Sequence, residues 1–371
     1  MSSPDAALRQ PVDWAFAART AGALAPAGPR LSAREAHREA EGLRSAAEAA
    51  VAPVHRLTGL EAARDLHDST VLVVDRPTWS AAAVEGFEAL LAPTFAHLQH
   101  TRPREYEAAS SPVTARAAAL ESGGILAWLS GRVLGQYDPF GGPEPSGGRL
   151  LLVAPNVAQV RREIHVDPAD FRLWVCLHEQ THRVQFAAAP WLREHLRAEI
   201  TALTTGLFDT ADSLPDRLRA ALVGLTARRR GSDDAGRAPS APSPGLLGAL
   251  QDEQGRERLS RLTAVMSLLE GHANVVMDGV DASVVSSVKT IRRRFDARGR
   301  HRPPLDRLIR RLLGMDAKMA QYRDGQRFVA AAVEELGMDG FNTVWQSPEL
   351  LPTEQELHHP ARWTARVRAE A

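Results

Sequence analysis

The stretch Asp167-Pro168-Ala169-Asp170-Phe171-Arg172-Leu173-Trp174-Val175-Cys176-Leu177-His178-Glu179-Gln180-Thr181-His182 decides how the rest of the chain is read. Asp167 suits an N-cap, Pro168 a first helical position and Asp170 a first turn, so the segment predicts a helix. Pro190 stops that helix or opens the next. Residues i and i+4 share a helix face, so His178 and His182 can reach one metal ion. Glu179 lies about 100° round the helix, beside the ion, where it can accept a proton from a metal-bound water. Phe171, Trp174 and Val175 fall on the side of the histidines, which predicts a buried, apolar setting for the pair. With 13 histidines in 371 residues, composition yields only roughly 0.06 chance occurrences of this H-E-x-x-H pattern.

A hydrolytic zinc takes three protein ligands and keeps one position open. The third ligand is sought in Ser267-Leu268-Leu269-Glu270-Gly271-His272-Ala273-Asn274, on a helix expected over roughly Arg258 to Val280. Glu270 stands among Leu269, Val275, Val276 and Met277, where a carboxylate is costly to bury unless it binds something. His272 is the rival ligand; residues i and i+2 are about 200° apart, so the two should not share one ion. Gly271 in mid-helix costs about 1 kcal/mol relative to alanine, which points to close packing near the site. Asn274 and Asp278 are candidates for orienting a ligand imidazole, and Tyr322 and His272 for stabilising an oxyanion.

Composition narrows the alternatives. The 45 basic and 45 acidic groups cancel, which argues against a whole-chain polyanion binder. A single cysteine, Cys176, excludes an intramolecular disulfide and cysteine-rich zinc modules. Only Lys289 and Lys318 are lysines. Apolar runs such as Phe328–Val333 are far shorter than the ~20 residues of a membrane span. Met1 to Gln10 lacks a signal-peptide core, so a cytoplasmic location is expected.

The fold class expected is mainly α with a small β element. Ser32 with Glu35 fits a capping box, and Pro77 to Leu91 has helical spacing. Arg132–Phe140 and Arg149–Ala154 fit a hairpin, and Thr70–Val74 a further strand. Residues 228–245 read as a mobile loop. The chain is expected as one unit in two halves: a mainly helical 11–156, and 157–352 with the H-E-x-x-H helix facing the Glu270 helix. A surface tail over 353–371 follows.

Further stretches carry a family resemblance. They include Val74-Asp75-Arg76, Leu134-Gly135-Gln136-Tyr137-Asp138, Leu177 to His182 with Gln185-Phe186, and Pro190-Trp191-Leu192-Arg193. Leu268 to Asp278, Ile291-Arg292-Arg293-Arg294-Phe295, Leu312 to Lys318, Gln321-Tyr322 and Pro348 to Pro352 extend it over most of the chain. Together they resemble the actinobacterial zincin-like metallopeptidases, some labelled deazaflavin cofactor biosynthesis-associated protein. Glu270-Gly271 is also similar to the Glu-Gly of gluzincin aminopeptidases, although the exopeptidase motif of those enzymes is missing. The resemblance implies a zincin-like fold, Zn2+ held by His178, His182 and Glu270, and a peptide or protein substrate.

Two function classes stay open from the sequence. One is a zinc-dependent hydrolase, a peptidase or other amide hydrolase with Glu179 as general base. The other is a non-catalytic zinc-containing binding or scaffold protein. Its surface would be 289–311, where ten basic and two acidic groups leave a net charge of +8. Nucleic acid is not the expected partner of the first class, and oligomeric state is not legible.

Overall fold

The computed structural model describes residues 10–64, 66, 69–142, 148–209, 253–300 and 315–370; for 209, 299–300, 315–323 and 370 it describes the backbone alone. The sequence is rich in alanine, arginine, glutamate and leucine, all good helix formers, and helix dominates accordingly. The elements are α1 (Trp14–Leu24), α2 (Ala33–Thr58), β1 (Thr70–Val74), α3 (Arg76–Thr101), α4 (Pro103–Ala109), α5 (Pro112–Ser130), β2 (Gly135–Asp138) and β3 (Arg149–Val153). They continue with α6 (Ala154–Ile164), α7 (Pro168–Ala188), α8 (Leu192–Asp209), α9 (Glu253–Gly279), α10 (Val288–Arg300), α11 (Met315–Phe341), α12 (Glu354–His358) and α13 (Pro360–Glu370). The expected loop at 228–245 lies outside the described residues.

Local signals in the sequence set the helix ends. Ser32 and Glu35 close a reciprocal capping box at α2. The Asp167 carboxylate accepts hydrogen bonds from the backbone N–H groups of Ala169 and Asp170, which starts α7 about three turns before the first histidine. α7 stops at Ala188, just before Pro190, and α8 begins at Leu192.

The three strands form one sheet in the order β1-β3-β2. β2 pairs antiparallel with β3, Gly135 opposite Leu152 and Asp138 opposite Arg149, as the hairpin pattern predicts. β1 pairs parallel with β3, Thr70 opposite Arg149 through Val74 opposite Val153. A parallel neighbour needs a long crossover, supplied here by α3, α4 and α5. Every residue of β3 is buried, and its alternation divides two cores. Leu150 and Leu152 point into the larger core, which α2, α6, α7, α9 and α11 build. Leu151 and Val153 point into a smaller one against α1, α3 and α5.

α7 packs on α2, α6 and α9. Where α9 crosses α11 both backbones present glycine. A Cβ on Gly271 would stand 2.3 Å from the Gly325 carbonyl carbon, and one on Gly325 would stand 1.9 Å from the Ser267 oxygen. No other residue permits that approach, and it accounts for the helix-weakening glycine next to Glu270.

The basic segment is partly occupied within the chain. Arg292 donates to the Met277 and Val280 carbonyls. Arg294 does the same to Ile164 and His165. Arg298 pairs with Glu163 at 2.6 Å. These guanidinium groups cap the C-terminal ends of α9 and α6, where cations are favoured. Residues 301–311 of that segment lie outside the described residues. The stretch expected as a surface tail forms α12 and α13 and sends Leu357, Trp363 and Val367 into the larger core. Trp363 donates its indole N–H to the Leu350 carbonyl. Trp363 and Val367, one turn apart on α13, together with Leu357 on α12, outweigh the polar composition of that stretch.

Candidate metal centre

α7 delivers two imidazoles to one side. The Nε2 atoms of His178 and His182 are 3.3 Å apart. α9 brings Glu270 opposite, with Oε2 at 3.9 Å from His178 Nε2 and Oε1 at 3.8 Å from His182 Nε2. Among the described residues this is the trio whose ligand atoms converge, all within 4.8 Å of one another. Two ligands at about 2.0–2.1 Å from a tetrahedral zinc stand roughly 3.3–3.4 Å apart, so the separations fit a small cation with little closure. The donor set, two imidazole nitrogens and a carboxylate, is the kind hydrolytic zinc uses.

His178 is kept neutral. Burial, then the neighbouring His182, pushes His178 down to about 3, which leaves its lone pairs free for a metal. Glu179 is buried, one position round α7 from the ligands. Burial, and secondarily the charge of Glu270, raises its carboxyl to about 8. The edge strand comes close here: a Cβ on Gly135 would stand 2.6 Å from Glu179 Cγ. Glycine at the start of β2 thus lets the sheet edge lie against the carboxylate.

A residue that the motif reading did not single out organises the centre. Gln185 is fully buried. Its Nε2 donates to the Leu269 carbonyl at 2.8 Å and faces His272 Nδ1 at 3.0 Å. Its Oε1 is therefore the atom 3.0 Å from His182 Nδ1. An amide oxygen only accepts, so His182 carries its proton on Nδ1 and turns the Nε2 lone pair to the site. Its signal in sequence was its place three residues beyond His182 on the same helix. Gln185 also ties α7 to the carbonyl immediately before Glu270.

The other candidates are distributed differently. His272 is fully buried between Phe341 and Trp345, with ring centroids 5.4 and 5.3 Å away. Its Nδ1 accepts from Gln185, and it acts on the centre through that amide. Burial, then His182, holds His272 down to about 3. Asn274 is half-buried one turn beyond Glu270. Asp278 is exposed at the end of α9, where it accepts from Gln326 at 2.8 Å and lies 3.9 Å from Arg292. Tyr322 belongs to α11, and its side chain lies outside the described residues.

The comparisons agree with this geometry. The family model described as zincin-like metallopeptidase matches residues 12–364, and the chain belongs to that family. A crystal structure from Chloroflexus aurantiacus, described as a candidate hydrolase with a novel fold, is 28% identical with a TM-score of 0.64. The match covers 97% of this chain and 100% of that one. No curated protein matches the chain. The fold class is as the sequence predicts, a mainly helical zincin-like chain with a three-stranded sheet. No helix among the described residues is long and apolar enough to cross a membrane.

Proposed function

We propose that the protein is a zinc-dependent hydrolase of peptide or related amide bonds. The observation that carries this reading is the convergence of His178, His182 and Glu270 beside a buried carboxylate, Glu179, that none of them needs as a ligand. His178 and His182 supply Nε2 and Glu270 supplies oxygen to the ion. Bound there, zinc supplies the Lewis acidity that makes water a nucleophile near neutral pH and polarises a carbonyl. Glu179 takes the proton of the attacking water and passes it to the leaving nitrogen. Burial, which favours the neutral carboxyl, supports its holding that proton between the two events. β2 lies at an edge of the sheet and meets Glu179 at Gly135, so an extended substrate can lie beside the carboxylate as a further strand. Tyr322 stays as the proposed oxyanion partner, while His272 acts on the centre through Gln185.

A cytoplasmic setting is part of this reading. The rival reading, a scaffold using 289–311, is weakened by Arg292, Arg294 and Arg298, which are engaged within the chain.

Glu179→Gln tests the assignment. The variant should fold and hold one zinc per chain by elemental analysis. Its turnover of peptides should fall by roughly 10²–10⁴-fold. Full activity in that variant would overturn the mechanism.

A further inference from the structure

The four residues of the centre form one wall of a larger cleft, of about 520 Å³. The opposite wall comes from the smaller core. Ala83 and Phe87 on α3, Leu126 and Leu129 on α5, and Val133 face the centre across it, with Phe186 of α7 beside them. Phe87 and Met266 are exposed large apolar residues of this lining, at 46% and 43%. An uncovered apolar surface of this kind beside polar groups marks a place for an apolar ligand.

Asp138 and the amide oxygen of Gln136, both in the lining, are engaged within the chain. Gln136 Oε1 accepts the indole N–H of Trp79 at 3.0 Å. Asp138 is paired with Arg149 at 3.1 Å and accepts from the backbone N–H groups of Phe140 and Gly141. Among the described residues lining the cleft there is no arginine or lysine. An acidic substrate side chain would find no arginine or lysine there, only the carboxyl groups of Asp138, Glu179 and Glu270. A basic one would have to leave water for a wall of alanine, leucine and phenylalanine.

From this we infer that the cleft is a specificity pocket that receives a bulky apolar side chain, of leucine or phenylalanine size, next to the scissile amide. The inference rests on the metallohydrolase reading and names the class of substrate it acts on. Moving such a side chain from water into an apolar wall favours it by roughly 10–150-fold over glycine. Ala83, buried on α3, keeps the space open; a larger residue there would fill it.

The test is binding of N-acetyl amino-acid hydroxamates to the full chain, zinc-loaded and metal-free, by calorimetry. The leucine and phenylalanine hydroxamates should bind the zinc form roughly 10–150-fold more tightly than the glycine one, and the aspartate and lysine ones no better than glycine. Ala83→Leu should cut the leucine preference to below about threefold while leaving glycine hydroxamate binding unchanged. Phe87→Ala, on an exposed residue, should also lower the preference and serves if Ala83→Leu does not fold. Zinc-dependent binding that ignores the side chain, or favours aspartate or lysine, overturns the inference and leaves the hydrolase reading standing. Hydroxamate binding that is equal with and without zinc overturns both.

Discussion

The molecule buries carboxylates in two ways. Glu39 on α2 meets Arg161 of α6 at 3.3 Å and Arg172 of α7, and Asp138 on β2 meets Arg149 of β3 at 3.1 Å. Each of these buried anions has a guanidinium against it, as burial demands. At the metal centre Glu179 is as buried as they are, and Glu270 is nearby, yet no arginine or lysine among the described residues pairs with either. The basic side chains within reach are two histidines, and burial holds His178 neutral. The first arrangement is complete in itself and fastens elements together. The second has no guanidinium: burial keeps Glu179 toward its neutral form, and Glu270 faces two imidazoles at the place where three ligand atoms converge. The difference teaches that the centre is built around an ion and not around a salt bridge.

Four measurements break or sharpen that contrast. The largest effect is expected at the complete cluster. Arg149→Met leaves Asp138 buried without its partner and should cost about 3–5 kcal/mol in urea denaturation, with or without metal. Glu270→Ala should do little to the metal-free stability. It should weaken zinc binding by roughly 10³-fold, about 4 kcal/mol, in chelator competition. If Glu270→Ala instead unfolds the metal-free protein as Arg149→Met does, the two clusters are alike and the contrast is lost.

Gln185→Met keeps the volume and removes the amide that holds His182. Zinc affinity should drop roughly 10–100-fold, as for other groups that orient a ligand imidazole. The nitrogen-15 chemical shifts of His182 should lose the Nδ1–H signature in the same variant. Unchanged shifts would remove Gln185 from its orienting role.

The smallest effect is a slope. His272 is lowered to about 3 from its ordinary 6.5. Its contribution to stability is therefore complete above pH 6.5 and is lost as pH falls toward 3. The metal-free protein should lose up to about 1.4 kcal/mol per pH unit from this group across that window. His272→Gln should flatten the slope, measured by urea titrations at successive pH values. An unchanged slope would assign the acid sensitivity elsewhere.

Much of this was legible in the sequence because the signals were local. The cap at Asp167, the spacing of His178 and His182 and the isolation of Glu270 in an apolar helix are each contained within a few turns. Even the close packing at Gly271 follows from a residue that weakens its own helix. The parallel partner of β1 was not legible: Val74 and Arg149 are separated by three helices, and no local pattern encodes a pairing across them. The cleft was hidden for the same reason. Ala83 and Leu126 read as ordinary helix residues, and only the sheet brings their helices opposite His178. Gln185 fell between these cases, with its place near His182 written in the helix repeat but its bond to the Leu269 carbonyl visible only in three dimensions.

The crossing of α9 and α11 limits how this chain can vary over time. Gly271 follows Glu270 directly, and it touches Gly325 backbone to backbone. A contact without side chains has no rotamer through which to adjust. A methyl group gained at either position displaces a helix, and through α9 it displaces the carboxylate one peptide bond away. Drift at these two glycines is thus coupled to the integrity of the centre, although neither holds a functional group. A lineage that loses either glycine must rebuild the approach of both helices or give up the ligand.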